Sequence, residues 1–471
     1  MKSIKNKKRI TVAILVVILL GVISFFLREF ISNYAVRLNL DTIEAPGKGA
    51  RMLVFAPHND DETLGAAELI KETIKNGGEV KVALITNGDG FKEAIQFDYY
   101  NLNPKPKDYI DFGYIRQKES IEALNLLGVP KKNVIFLGYP DGGVSYLWNT
   151  YWDMNNTYIS RHTQSNKSPY SNSYTKEAPY TGESVARDIS KIINEYKPTY
   201  IVYPHPNDRH PDHWATNGFV KYVLASMNYK PEKELLYLVH RGYWPTPMKN
   251  EPGMYLVPPA KLIGIGTNWH ALNMSEQDIN EKKEAINSYK SQIKTLGPLL
   301  TAFERKNELL GEYSNVKLFI SDNISGKIQP SNKNKVITDP LQDSLNLNLT
   351  KGADISGIYA EEGRNKDLNI LIEANDEIEN LTKYSINMIL FMDNNIKRLN
   401  LQIKNGVVIL THVSKESIMN VNGIKAEVKG NILHVTIPSS TIGGFNHMFI
   451  NADTSFEDRM MDKTAWRMVD R

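Results

Sequence analysis

An open α/β sheet with helices on both faces, preceded by a membrane-spanning helix and followed by a β-sandwich, is the architecture this 471-residue sequence predicts. Three observations predict it. Between residues 50 and 320, short buried-strand patterns alternate with amphipathic helix patterns, the signature of a Rossmann-like, mostly parallel sheet. Residues 10–27 form an uncharged apolar run. Past residue 345 the sequence turns to short strands separated by turns, as in a sandwich. A chain this long exceeds one ordinary core, so two folded domains are expected.

The N-terminal segment, residues 1–9, carries Lys2, Lys5, Lys7, Lys8 and Arg9 with no acid among them. The apolar run Ile10 to Leu27 follows at once and is near the lower limit of roughly 17–25 residues needed to span hydrocarbon. With the cations inside, the N-terminus is cytoplasmic and the chain after Arg28 is extracellular, as in a single-pass membrane protein with residues 28–49 as a stalk. A cleaved signal peptide has the same order of regions, which would give a secreted form. Its apolar region would be shorter, however, and Asn33-Tyr34-Ala35 is a poor cleavage site, so an uncleaved anchor is expected. Without the five N-terminal cations the formal charge of +3 becomes −2, and no charge-based case for nucleic-acid binding is left. The absence of cysteine excludes thiol catalysis, disulfides and Cys-ligated zinc.

In chain order, Arg51 to Ala56 reads as a buried strand and Thr63 to Asn76 as an amphipathic helix with Leu64, Ala67, Ile70 and Ile74 on one face. Val80 to Thr86 is a second strand, followed by a helix from Tyr114 to Leu127. Val134 to Leu137 is a third strand, which runs into Gly138-Tyr139-Pro140-Asp141. Residues 144–182 are rich in Tyr, Trp, Asn and Ser and read either as a wall beside a site or as an excursion packed by its own aromatics. Glu183 to Tyr196 is helical and Tyr200 to Tyr203 a fourth strand. Glu281 to Phe303 reads as mostly helix, with a break at Gly297-Pro298. Residues 321–344 look like a linker. Strands are then expected at 369–374, 385–392, 399–403, 407–412, 424–428 and 432–437 within a domain spanning 345–471, where Trp466 and Phe445 could equally stack on sugar or fill a core.

Two polar clusters follow predicted strands: Pro57-His58-Asn59-Asp60-Asp61-Glu62, and His205 through His213 with its Asp208 and His210-Pro211-Asp212-His213. In open α/β sheets ligands bind beyond the carboxyl ends of the strands, so the sheet would bring the clusters together. A catalytic zinc keeps three protein ligands and one open position, and these residues can supply that set with some to spare. Prolines 204, 206 and 211 argue for a shaped turn rather than a solvated loop.

These motifs resemble the PIG-L/LmbE-like family of zinc-dependent N-deacetylases. Pro57 to Glu62 matches the family's first motif, with Asn59 in place of the common proline, and His210 to His213 matches the second. Shorter matches are Thr86-Asn87-Gly88, Arg116 with Glu119, Gly138 to Gly142, and Tyr289-Lys290-Ser291-Gln292. The resemblance spans about residues 51–308. It implies that His58, Asp61 and His213 bind zinc and that Asp60 is the general base. It further implies that His210 polarises the substrate carbonyl, that Asp212 orients His210, and that Arg116 and Asp141 hold the sugar. Glu62 is read as a supporting residue, and Fe2+ or Co2+ suits the same donors.

The function expected is removal of N-acetyl groups from an N-acetylglucosamine-containing cell-surface glycan or a lipid-linked sugar, with release of acetate. A metal hydrolase of another amide or ester, or an inactive glycan-binding surface protein, are the alternatives.

Overall fold

The computed structural model describes residue 16 and residues 31–98, 100–322, 328–344, 350–393, 395–413 and 423–471. The expected anchor, residues 10–27, therefore lies outside the described residues apart from Val16. Among the described residues no helix is long and apolar enough to cross a membrane.

An eight-stranded sheet organises the first two thirds of the chain. Its strands are β1 (Asp41–Thr42), β2 (Arg51–Ala56), β3 (Glu79–Thr86), β4 (Val134–Tyr139), β5 (Tyr200–Pro204), β6 (Lys233–Tyr237), β7 (Asn268–Asn273) and β8 (Asn307–Glu312). They lie in the order β1-β7-β8-β6-β5-β2-β3-β4. From β6 to β4 every pair is parallel, whereas β8 runs antiparallel to both β6 and β7. The four predicted strands, β2 to β5, are neighbours at one end of the sheet with β4 at its edge, and β1, β6, β7 and β8 are additions that the sequence reading did not contain.

Helices cover both faces, as expected. The strand β2 shows why: Met52, Val54 and Ala56 enter one core with Leu64 and Leu124, while Leu53 and Phe55 enter the other with Ile189 and Phe219. Alternate side chains of a strand point to opposite faces, so a continuous apolar run is what a doubly covered strand requires. The helices are α1 (Asp61–Lys75), α2 (Lys92–Asp98), α3 (Pro106–Leu126), α4 (Val144–Asn149), α5 (Gly182–Tyr196), α6 (Pro211–Ser226), α7 (Glu276–Asn287) and α8 (Lys290–Thr301). From β2 the chain steps outward to β3 and β4, then returns to β5 on the other side of β2 and steps outward to β6. The strand order reverses between β2 and β5, and a crevice opens at such a reversal.

Helix α1 is kinked at Ala66 (φ −147°). The backbone groups released there find a buried ion pair: Glu308 accepts from the N–H groups of Glu68 (2.8 Å) and Leu69 (3.0 Å), and Lys282 Nζ donates to the Leu64 carbonyl (2.8 Å) and to Glu308 (2.7 Å). The pair thus repairs the helix from outside.

Several expectations change. The helix expected to break at Gly297-Pro298 breaks instead at Ser288 and Tyr289, where the Tyr289 ring turns inward to the site, and α8 carries Pro298 in its last turn. The stalk is docked: Asp41–Thr42 pairs with β7, and the Asn33 amide exchanges hydrogen bonds with the backbone of Tyr255. The linker contains Lys335–Thr338, paired with Ile355–Glu362.

The C-terminal region is a β-sandwich of a six-stranded and a seven-stranded sheet. Ile358, Ile370 and Leu433 from one sheet meet Ile386, Leu399 and Ile450 from the other in a single core. All six predicted strands are present within it. Val316–Lys317 already pairs with Arg467–Asp470, so the sandwich begins directly after β8 rather than near residue 345. Trp466 and Phe445 are buried: Phe445 fills the sandwich core, and Trp466 packs with Phe449 and Phe219 where the sandwich meets α6. Phe445 is thus core, whereas Trp466 also lines a cavity beside Trp148 and Arg398.

Candidate metal centre

Both polar clusters lie at the carboxyl ends of neighbouring strands, β2 and β5. His58 Nδ1 is 3.1 Å from Asp61 Oδ2, His213 Nε2 is 3.1 Å from the same oxygen, and the two ring nitrogens are 3.3 Å apart. Three ligands of a tetrahedral zinc with bonds near 2.0–2.1 Å stand about 3.3–3.4 Å apart, so this triangle has the required size.

The tautomers agree. His213 Nδ1 bonds to Asp208 Oδ2 (3.1 Å), and His58 Nε2 faces Asp141 Oδ1 and Asp212 Oδ2, each at 3.3 Å. With those nitrogens protonated, His213 Nε2 and His58 Nδ1 direct lone pairs at each other and at a carboxylate. A cation at that point would take up both lone pairs and the carboxylate. Burial disfavours charge on both rings, yet Asp141, Asp212 and Asp61 hold His58 well above its ordinary range, and Asp208 and Asp61 push His213 up to about 9. Burial also works against the Asp61 carboxylate, but His213 and His58 hold it well below its usual range. Two neutral imidazoles and one carboxylate are a suitable set for zinc, and iron or cobalt fits the same donors.

Asp60 precedes helix α1 with φ 127° and ψ −29°, a conformation costly for any residue with a Cβ. Its side chain makes no capping bond to the helix. Instead Asp60 Oδ2 accepts from Arg116 Nη2 at 3.1 Å, and Asp60 lines the cleft. Burial, opposed by Arg116 and reinforced by Asp61 and Glu62, raises its carboxyl to about 8. Glu62 is buried and accepts from Tyr289 Oη and from the Asp60 N–H (3.2 Å), so it supports the turn.

Arg116 differs from expectation. It is 4% exposed, and its guanidinium donates to Asp60, to the Asn59 carbonyl and to the Gly88 carbonyl (2.9 Å), so its outer nitrogens are engaged by protein rather than offered to a sugar. Gly88 makes room for it: a Cβ there would stand 1.9 Å from Arg116 Nη1. One turn along α3, Glu119 accepts from the Ser291 N–H (2.8 Å) and hydroxyl (2.6 Å) at the start of α8, which explains why these short motifs occur together.

Asp212 differs too. Its carboxylate accepts from the N–H groups of Gly142 (2.7 Å) and Val144 (3.0 Å) and faces His58; it does not bond to the His210 ring. His210 Nδ1 accepts from the Asp212 N–H at 3.2 Å, which places the ring proton on Nε2 as a donor for a substrate oxygen. Burial, with His58 and His213 adding to it, holds His210 neutral by pushing it down to about 3. Asp141 Oδ2 accepts from the Gly90 N–H at 2.7 Å while its Oδ1 faces His58, so it sits on the cleft wall beside the metal triangle.

Asp208 had no role in the sequence reading and is central here. Fully enclosed, it holds His213, accepts from the N–H groups of Val239 (3.0 Å) and His240 (2.9 Å) through Oδ2, and from the His210 N–H (2.9 Å) through Oδ1. His205 stacks on Trp269 with ring centres 4.9 Å apart, in the support rather than the cleft.

The cleft above these residues measures about 360 Å3 and is walled on one side by Leu296, Leu299 and Leu300 of α8. His162, from the aromatic-rich excursion, lines it as well, while Tyr158, Tyr170 and Tyr180 pack beneath. Residues 144–182 are thus both wall and self-packed excursion. A larger cavity of about 520 Å3, lined by Trp148, Trp152, Arg398 and Trp466, contains none of the residues of the metal centre.

Three solved structures similar to this chain are a conserved protein from Thermus thermophilus, the N,N'-diacetylchitobiose deacetylase from Pyrococcus horikoshii and a deacetylase of teicoplanin biosynthesis. Each is 18% identical; the matches cover 54%, 56% and 56% of this chain and 84%, 84% and 97% of theirs, with TM-scores of 0.32, 0.35 and 0.36. Residues 53–224 match the family model described as "PIG-L: GlcNAc-PI de-N-acetylase", a stretch that includes both polar motifs and every member of the metal triangle. Residues 53–224 of this chain are a PIG-L domain.

Proposed function

We propose that the chain is a zinc-dependent N-deacetylase that hydrolyses the N-acetyl group of an N-acetylglucosamine-containing cell-surface glycan or lipid-linked sugar. The observation that carries this reading is the triangle of His58 Nδ1, Asp61 Oδ2 and His213 Nε2, with Asp60 beside it at the floor of an open cleft. These three atoms would hold the ion, whose chemistry is to acidify water and polarise an amide carbonyl.

The protein residues divide the remaining work. Arg116 fixes Asp60 through Oδ2, and no protein donor reaches Oδ1 among the described residues, so that oxygen can take a proton from water and later return one to the departing amine. His210, with its Nε2 proton fixed by the Asp212 N–H, donates to the carbonyl oxygen as negative charge develops there. Asp141 and His162 on the cleft wall are placed to meet sugar hydroxyls, and the leucines of α8 give an apolar side on which a pyranose face can rest. The amino-sugar substrate is supported by the name of the matching family model, and the extracellular location by the five cations before the apolar run of residues 10–27.

Acetate release from N-acetylglucosamine oligomers, with and without a chelator, tests the reading. Wild type should release acetate, lose activity with chelator and regain it with zinc. Asp60→Ala should keep about one zinc per chain and lose turnover by a factor of about 10² to 10⁴. Full turnover by Asp60→Ala would contradict the mechanism.

A further inference from the structure

A second acidic cluster lies where the sandwich meets the segment after β6. Asp339, Asp343 and Asp462 bring carboxylate oxygens within 4.8 Å of one another. Most acids nearby are satisfied. Asp462 accepts from the N–H groups of Ile355 (2.7 Å) and Lys463 (2.8 Å), and Asp354 from those of Gln342 (2.9 Å) and Ser344 (3.3 Å). Asp343 Oδ2 accepts from Arg241 Nη2 at 2.7 Å.

Asp339 is the exception. It is 3% exposed, and both its carboxylate oxygens are buried with no hydrogen-bond partner among the described residues; Asp343 Oδ1 is in the same state. Buried carboxylates with nothing to accept from are strongly disfavoured, and buried charges are otherwise paired or bound to metal. Arg241 alone does not balance the cluster, and Arg209 approaches Asp343 only to 3.7 Å from a half-exposed position.

We propose that Asp339, Asp343 and Asp462 bind one Ca2+ ion on the side of the β-sandwich where Arg241, from the segment after β6, meets Asp343. The donor set is all oxygen, with no imidazole, which suits a hard cation. Oxygens on one Ca2+ at about 2.4 Å lie no more than about 4.8 Å apart, a bound the three carboxylates meet. Mg2+ keeps most of its water, and a buried cluster of carboxylates offers it little room to do so.

The site reaches the metal centre through protein bonds. From Asp343, Arg241 continues to the Asn207 carbonyl (3.1 Å), the Asn207 N–H donates to His205 Nδ1 (3.1 Å), and the next residue, Asp208, holds His213. The rival way to relieve the repulsion is protonation: burial, then Asp462 and Asp343, hold the Asp339 carboxyl well above its usual range.

The test uses the full-length, zinc-loaded chain stripped of other divalent ions. Ca2+ binding is counted by equilibrium dialysis, and thermal unfolding is followed with Ca2+ or Mg2+ added to about 5 mM, above the 10⁻⁴–10⁻³ M range of extracellular calcium modules. Wild type should bind one Ca2+ and gain about 4 °C or more in Tm, with a much smaller gain from Mg2+. Asp339→Asn should lose at least tenfold in Ca2+ affinity and most of the shift, yet melt no lower than wild type without Ca2+, because the isosteric amide relieves the repulsion. Asp462→Asn, measured in parallel, should lose Ca2+ affinity likewise but melt lower than wild type without Ca2+, because its amide leaves one of the two backbone N–H groups that Asp462 accepts facing a donor. No Ca2+ bound by wild type at that concentration would overturn the site in favour of protonation. Wild-type Ca2+ affinity in both variants would overturn the ligand assignment, and equal stabilisation by Mg2+ would overturn the choice of ion.

Discussion

Replacing Asp208 with asparagine should weaken zinc binding about 10- to 100-fold, the usual effect of removing a carboxylate that orients a ligating histidine. The size of the effect follows from what Asp208 accepts: the His213 ring N–H, two backbone N–H groups from the segment after β6, and the His210 N–H. An asparagine of the same shape has one acceptor oxygen and one donor nitrogen, so whichever way the amide turns, at least one buried N–H faces another donor. An unmet buried donor costs about 1–3 kcal/mol. The expected loss of affinity corresponds to about 1.4–2.7 kcal/mol, which is the same range. Part of the cost falls directly on His213, because its Nδ1 proton is what directs the Nε2 lone pair at Asp61 and His58. Competition with a chromophoric chelator at neutral pH measures the affinity, and circular dichroism confirms the fold. Saturating zinc should restore much of the turnover of Asp208→Asn but none of that of Asp60→Ala. A folded Asp208→Asn variant that holds zinc within about twofold of wild type would refute the positioning role.

Three further outcomes are expected. Gly88→Ala places a methyl 1.9 Å from Arg116 Nη1, so the guanidinium must leave Asp60; turnover should fall at least about tenfold with zinc content unchanged, and unchanged turnover would show that the Arg116 contact is dispensable. Lys282→Met strands the Glu308 carboxylate in the core and should cost about 3–5 kcal/mol in urea unfolding, with partial recovery in Lys282→Met/Glu308→Gln; a loss under about 1 kcal/mol would count against the repair of the α1 kink. Burial, together with Arg241 and Arg467 and against Asp208, pushes His205 down to about 3. A folded value below the unfolded one near 6.5 means that its contribution is complete above pH 6.5 and is lost as pH falls toward 3, by up to about 1.4 kcal/mol per pH unit. Tm measured from pH 7 to 4 should therefore fall more steeply for wild type than for His205→Asn, and parallel curves would exclude His205 as a source of acid instability.

The fold and site were legible to the extent that local pattern reports them. The run Arg51–Ala56 is apolar on both faces, so a doubly covered strand could be read from it, and a polar motif directly after such a strand has one natural place, the open end of the sheet. The same logic located His210 to His213 after β5. Periodicity tells which face is buried but not which partner covers it, and the misses all lie there. Arg116 was assigned to the sugar through the resemblance, and its bonds to the Gly88 and Asn59 carbonyls were not legible because they are set by chain packing. Asp212 was assigned to its neighbour His210, whereas the sheet brings its carboxylate to His58, 154 residues away. Asp208 was visible as a member of the second cluster but received no role, since its backbone partners are 31 and 32 residues along the chain. Trp466 and Phe445 could be read as surface or core on sequence alone; the packing of the two sheets buries Phe445, and the meeting of the sandwich with α6 buries Trp466.

The central claim is that one catalytic metal is held by His58, Asp61 and His213. A zinc-edge anomalous difference map from crystals of the zinc-loaded wild-type protein tests it most directly. The account predicts a peak about 2.0–2.2 Å from His58 Nδ1, Asp61 Oδ2 and His213 Nε2 together. A peak on His58 Nε2 between Asp141 and Asp212, or the absence of any peak at the β2 and β5 strand ends in crystals of active enzyme, would contradict it.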